Sequence, residues 1–171
     1  MKISNIFFFA FLLFCSCDSP NQQPPVEEPT MVIDSSDLLG PISRIDLQQA
    51  PFNEWFESGY QSYLPDSAAI SNVDLNGVKI MTFMGTWCSD SQREMPHLYK
   101  ILDEINYPEN KLDVIAIDED KAQPEEEIRK WSIEYVPTII LLKNEIEVGR
   151  IVEAPAETLE KDLLQMLEKE D

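Results

Sequence analysis

Cys88 and Ser91, a thiol and a hydroxyl three residues apart in Trp87-Cys88-Ser89-Asp90-Ser91, are the residues of this chain best suited to do chemistry. A cysteine that follows a buried strand and opens a helix has its anionic form favoured by the helix N-terminus, and the thiolate is the nucleophile. Such a thiolate attacks a disulfide and forms a mixed disulfide. A second cysteine at position 91 would resolve that intermediate within the chain. The Ser91 hydroxyl can hydrogen-bond the thiolate but cannot accept the disulfide. Release then requires another thiol: the substrate's own second cysteine, a small thiol or a partner reductant.

Other chemistries have fewer residues behind them. His97 is the one histidine and lies nine positions past Cys88, about 13 Å along a helix rising about 1.5 Å per residue, too far for a Cys-His pair. It is expected to be a polar helix residue. Asp118, Glu119 and Asp120 lack the spacing and glycine of a calcium loop, so they are read as a solvated strand end. One free cysteine and one histidine leave a zinc or copper site short of ligands, so no metal site is expected. Lys and Arg number 13 against 32 Asp and Glu, a net charge of −19, which excludes a phosphate-binding nucleic-acid surface.

The elements that must hold Cys88 follow from hydrophobic patterning. Residues 78–84 form a short apolar run after Asn76-Gly77, suited to a central strand that leads straight into Trp87 and Cys88. Met95, Leu98, Leu102 and Ile105 mark one face of the following helix, which Pro96 interrupts. Residues 111–117 read as a second strand. Pro124 and three glutamates then open a helix with an acidic first turn. Residues 139–142 and 147–152 are close enough for a hairpin, and Leu159, Leu163, Met166 and Leu167 line a last helix. Upstream, Phe52, Trp55, Phe56, Tyr60 and Tyr63 predict an amphipathic helix over 50–63. This order predicts an α/β fold, a mixed sheet with helices on both faces.

The N-terminus differs from the rest. Lys2 is followed by an unbroken apolar run over 6–14, far short of the roughly 20 residues a spanning helix needs but suited to a secretory signal. The segment Leu13-Phe14-Cys15-Ser16-Cys17 resembles a bacterial lipoprotein signal, in which a lipidated cysteine follows a small residue. Cys17, after Ser16, is the better candidate. The resemblance implies a signal peptide over 1–16, an acylated Cys17 and a place in the bacterial cell envelope, facing the periplasm. Residues 17–40 are expected to be a flexible tether, with Pro20, Pro24, Pro25 and Pro29. At the polyproline rise of about 3.1 Å per residue, its proline-rich part reaches roughly 35 Å from a membrane surface. With Cys15 removed and Cys17 acylated, Cys88 is left as the one free thiol.

Residues 41–171 then form the folded domain. The strand leading into Trp87-Cys88, Pro96 eight positions later and Val136-Pro137-Thr138 before the hairpin resemble the thioredoxin superfamily, over roughly 78–166. That resemblance implies a thioredoxin-like three-layer α/β/α sandwich, here with an N-terminal helical extension. It implies a cis bond before Pro137, with Pro137 bordering Cys88 and Val136 pairing with substrate backbone. Trp87 would shape the rim of the site. The chain departs from the pattern at Thr82, where many thioredoxins carry a buried acid, and at Asp90, whose charge opposes the thiolate that the helix favours.

The resemblance implies no cofactor. It implies an envelope protein of thiol-disulfide exchange and redox homeostasis, a monothiol disulfide oxidoreductase or isomerase if active. Its partners would be cysteine-containing envelope proteins or a small thiol, a reductant, and a membrane through Cys17. The competing expectation is a non-catalytic module that binds extended peptides or proteins at the Pro137 groove. A covalent homodimer through Cys88 is a third.

Overall fold

The computed structural model describes residues 37–168. The signal peptide, Cys17 and most of the expected tether lie outside the described residues. The elements run β1 (Gly40–Ile42), α1 (Arg44–Leu47), α2 (Asn53–Ser62), α3 (Ser67–Ile70), β2 (Val78–Met84) and α4 (Ser89–Glu104). They continue with β3 (Leu112–Ala116), α5 (Glu125–Trp131), β4 (Thr138–Lys143), β5 (Ile146–Val152) and α6 (Leu159–Glu168).

The five strands order as β1-β3-β2-β4-β5. β2 is central, parallel to β3 with Thr82 opposite Val114, and antiparallel to β4 with Thr82 opposite Ile139. Burial on both faces is why its sequence is nearly all apolar rather than alternating. β5 closes the hairpin onto β4, with a register shift at Leu141/Leu142. β1 adds an antiparallel edge, Gly40 opposite Ala116.

Two hydrophobic clusters lie on the two faces. The larger joins Leu47 of α1, Phe56 of α2, Met95, Leu98 and Leu102 of α4, and Leu163 of α6 to Ile80, Val114, Ile139 and Leu141 of the sheet. The smaller joins Met81, Phe83, Ile115, Ile117, Ile140 and Leu142 to Ile133 and Val136, with Ile128 and Trp131 of α5 at its border. Helices on both faces of a mixed sheet make the expected three-layer α/β/α sandwich.

The helical extension is present and begins with a strand. The lead-in expected to be flexible through Gly40 is tied to the domain from Asp37: Thr86 Oγ1 donates to the Asp37 carboxylate at 2.7 Å and accepts the Leu38 amide at 3.2 Å. The helix expected over 50–63 starts only at Asn53, because residues 49–52 form a turn in which the Phe52 amide bonds the Gln49 carbonyl. α2 packs on α4 with little between them. A Cβ on Gly59 would lie 2.6 Å from the Pro96 ring.

Candidate active site

Strand β2 ends at Met84, and the tight segment Gly85-Thr86-Trp87 turns the chain into α4. The Cys88 amide bonds the Gly85 carbonyl at 3.0 Å, and the Cys88 carbonyl accepts the Gln92 amide at 2.9 Å as the first helical bond. Cys88 is therefore the N-cap of a 16-residue helix, in extended backbone. The amides of the first turn have no intrahelical partners and carry the positive end of the helix dipole toward the sulfur.

The turn leaves no room for a side chain at Gly85. A Cβ there would lie 2.4 Å from the Trp87 indole, whose Nε1 donates to the Ile117 carbonyl at 2.9 Å. Gln92 folds back to donate from Nε2 to the Thr86 carbonyl at 2.7 Å. Lys121 sits 5.5 Å over the Trp87 ring. These contacts fix the rim beside Cys88.

Across from the helix lies the loop before β4. The Val136–Pro137 peptide bond is cis. The half-buried Cys88 thiol donates to the Val136 carbonyl at 3.3 Å. Thr138 ties the loop back through its hydroxyl to the Tyr135 carbonyl at 2.7 Å, and the Pro137 carbonyl accepts the Glu153 amide at 2.7 Å. Tyr135 itself is 51% exposed beside this contact. Trp87, Cys88, Val136 and Pro137 are thus brought into one site.

Ser91 is fully buried, and its hydroxyl accepts the Gly85 amide at 3.2 Å. The hydrogen bond it makes in this structure supports the turn. Thr82 is also fully buried, and its hydroxyl has no hydrogen-bond partner among the described residues. Asp90 is paired with Arg93 at 2.6 Å, and Arg93 also binds Glu94 at 2.7 Å. Asp90 therefore has its counter-ion on the same helix turn.

His97 is turned away from the sulfur. Its ring stacks on Tyr63 at 3.9 Å, and Nδ1 lies 3.7 Å from Glu94. Burial pushes the Glu94 carboxyl up, but bonds from His97 and Arg93 outweigh it and the net shift is downward. Asp118 accepts the Ala122 and Gln123 amides and closes its own turn. No cluster of three or more metal-ligating side chains occurs among the described residues. A cleft of about 590 Å³, lined by Asn72, Asp74, Val78 and Lys143 among others, lies at the start of β2, whereas Cys88 follows its end.

Asp37, Gly85 and Gln92 were not among the residues singled out from sequence. Gly85 carried a signal, a glycine two residues before a tryptophan at the end of a strand. Asp37 carried none.

The thioredoxin family model matches residues 67–168, more than half of the chain. Among solved structures, a Pseudomonas aeruginosa protein of unknown function is similar at a TM-score of 0.50 and 17% identity, over 70% of this chain and 82% of that one. Thioredoxin-2, described as a component of the malaria parasite protein secretion machinery, is 26% identical over 54% of this chain and 82% of its own, with a TM-score of 0.40. Thioredoxin O2 of Arabidopsis thaliana in its oxidised state is 16% identical over 60% and 79%, with a TM-score of 0.37. No curated protein matches the chain significantly.

Proposed function

The chain belongs to the thioredoxin family, and we propose that it exchanges thiols with disulfides through one sulfur, that of Cys88. The observation that carries this reading is the meeting of the Cys88 thiol, at the N-terminus of α4, with the Val136 carbonyl of the cis-proline loop at 3.3 Å. The Cys88 thiolate is the attacking group, and the Val136-Pro137 loop orients the disulfide beside it. The thiolate forms a bond to one substrate sulfur while the substrate disulfide breaks, and the departing thiolate takes the electron pair and then a proton. A thiol from outside the chain repeats the step on the mixed disulfide and frees Cys88. Ser91 supports the turn through Gly85.

This chemistry suits isomerisation or removal of a small thiol better than net reduction of a dithiol. The test is covalent capture from envelope extracts, read by mass spectrometry with and without reductant. Wild type should hold partners that reductant releases, and Cys88→Ser should hold none. A second reading, peptide binding without exchange, draws on the same hydrogen bond, which occupies the thiol with a protein group. Equal capture by wild type and Cys88→Ser, insensitive to reductant, decides for it.

Location forms part of the same proposal. Cys17 is acylated, residues before Asp37 tether the domain to a bacterial membrane, and the site works in the periplasm. The support is the charged start, the apolar run and the Ser16-Cys17 step of the sequence. No helix among the described residues is long and apolar enough to cross a membrane. Metabolic labelling with a fatty acid analogue should mark wild type and leave Cys17→Ala unmarked; equal labelling sinks the anchor.

A further inference from the structure

Acidic residues lie on several segments around Cys88 and the Val136-Pro137 loop. Asp37 is held on Thr86, two residues before Cys88. Asp90 lies two residues after it. Glu134 is exposed two residues before Val136, and the exposed Glu153 donates its amide to the Pro137 carbonyl at 2.7 Å. These acids come from four separate segments; Asp37 is tied through its side chain to the turn before Cys88, and Glu153 through its amide to the Val136-Pro137 loop. Of the cations nearby, Arg93 is shared by Asp90 and Glu94, and Lys121, over the Trp87 ring, sets one positive charge at the rim against these acids. The whole chain adds a field of the same sign, at −19.

We infer that the disulfide Cys88 attacks is carried by a cationic polypeptide, and that anionic small disulfides such as that of glutathione are poor substrates. The inference rests on the exchange reading above. Its physical basis is that a surface of one sign raises the local concentration of oppositely charged partners and their on-rates by 10-fold to 1,000-fold, within reach of a Debye length of about 10 Å at 0.1 M salt. The exposed Tyr135 ring, beside the Val136 loop, offers an apolar contact of the kind a polypeptide uses and a small thiol does not fill.

Three probes with one leaving group test it: the mixed disulfides of nitrothiobenzoate with a lysine-flanked cysteine pentapeptide, with its glutamate-flanked counterpart, and with glutathione. Cys88 forms a bond to the peptide sulfur, the probe disulfide breaks, and coloured nitrothiobenzoate leaves with the electron pair. Rates are taken with the full chain, corrected with Cys88→Ser for Cys15 and Cys17, and divided by each probe's rate with 2-mercaptoethanol.

The lysine peptide should react about 10-fold faster than the other two at about 20 mM salt, with the ratio falling toward one at about 0.5 M. Replacing the exposed pair, Glu134→Gln with Glu153→Gln, should lower the ratio at least about threefold. A ratio at or below one at low salt, or one that salt does not change, overturns the charge inference while leaving exchange intact. Reaction with none of the probes by the folded chain, though all react after denaturation, removes the exchange reading and this inference with it.

Discussion

The two faces of the sheet are built to different depths. On one, α2, α4 and α6 pack around the larger cluster, and α4 alone buries eight residues. On the other, α5 is seven residues long and buries none completely. Cys88 and Trp87 join the edge of this thinner side, Trp87 bonded to the Ile117 carbonyl and Cys88 to that of Val136. The difference teaches that the deepest packing and the candidate site lie on separate faces. α4 belongs to both, since its body anchors in the thick layer while its first turn presents the sulfur on the thin one.

The contrast can be broken most severely at Phe56. This ring is buried in the thick layer, edge-on to Tyr99 at 5.4 Å. Phe56→Ala should cost about 3–5 kcal/mol in urea unfolding, yet leave the alkylation rate of Cys88 in the folded fraction unchanged. A parallel loss of thiol reactivity would show that the faces are not separable.

Glu160 gives the next effect. It is buried in the same layer and accepts the Tyr63 hydroxyl at 2.7 Å and the Asp66 amide at 2.8 Å. Burial pushes its carboxyl up, but these hydrogen bonds outweigh it and lower the net value. A lowered folded value contributes stability that is present above the unfolded carboxyl range of about 4.3 and lost as acid takes pH through the folded value. Glu160→Gln keeps one acceptor oxygen for the Asp66 amide but removes the charge that strengthens both hydrogen bonds and reverses the bond to Tyr63. It should cost about 1–3 kcal/mol at pH 7 and flatten the acid limb of the stability curve below pH about 4. An unchanged acid limb would assign that pH dependence to other carboxylates.

Gly85→Ala sharpens the comparison at the boundary. The added methyl meets the indole, so Trp87 must move, at a cost of about 1–2 kcal/mol. Tryptophan fluorescence should shift and Cys88 reactivity should change with it, the reverse of the pattern at Phe56. Smallest of all on stability is Tyr135→Ala, within about 0.5 kcal/mol for an exposed side chain. Partner capture should nonetheless fall severalfold, and capture at wild-type level would remove Tyr135 from the docking surface.

What the sequence made legible depended on length and continuity. The run over 78–84 became β2 to the residue, because six of its seven positions are buried, all but Lys79. Gly40–Ile42 could not be read as a strand: three residues that include a glycine and a proline carry no period, and their partner Val114–Ala116 lies far along the chain. α3 is a single turn, capped by the Asp66 side chain on the Ala68 and Ala69 amides, too short to show a helical stripe. At the site, Trp87, Cys88, Val136 and Pro137 were readable through the resemblance to the thioredoxin superfamily. The Ser91 bond to Gly85 and the Asp37 bond to Thr86 were not, since a hydroxyl's partner is set by the fold rather than by its neighbours in sequence.

The Asp37–Thr86 contact has a mechanical meaning. The carboxylate of Asp37 and the amide of Leu38 both end on Thr86, whereas pairing with the sheet begins only at Gly40. Along the chain, contact with the turn that precedes Cys88 therefore comes before contact with the sheet. The first described residues are thus held at two points, at the turn before Cys88 and then at the sheet edge.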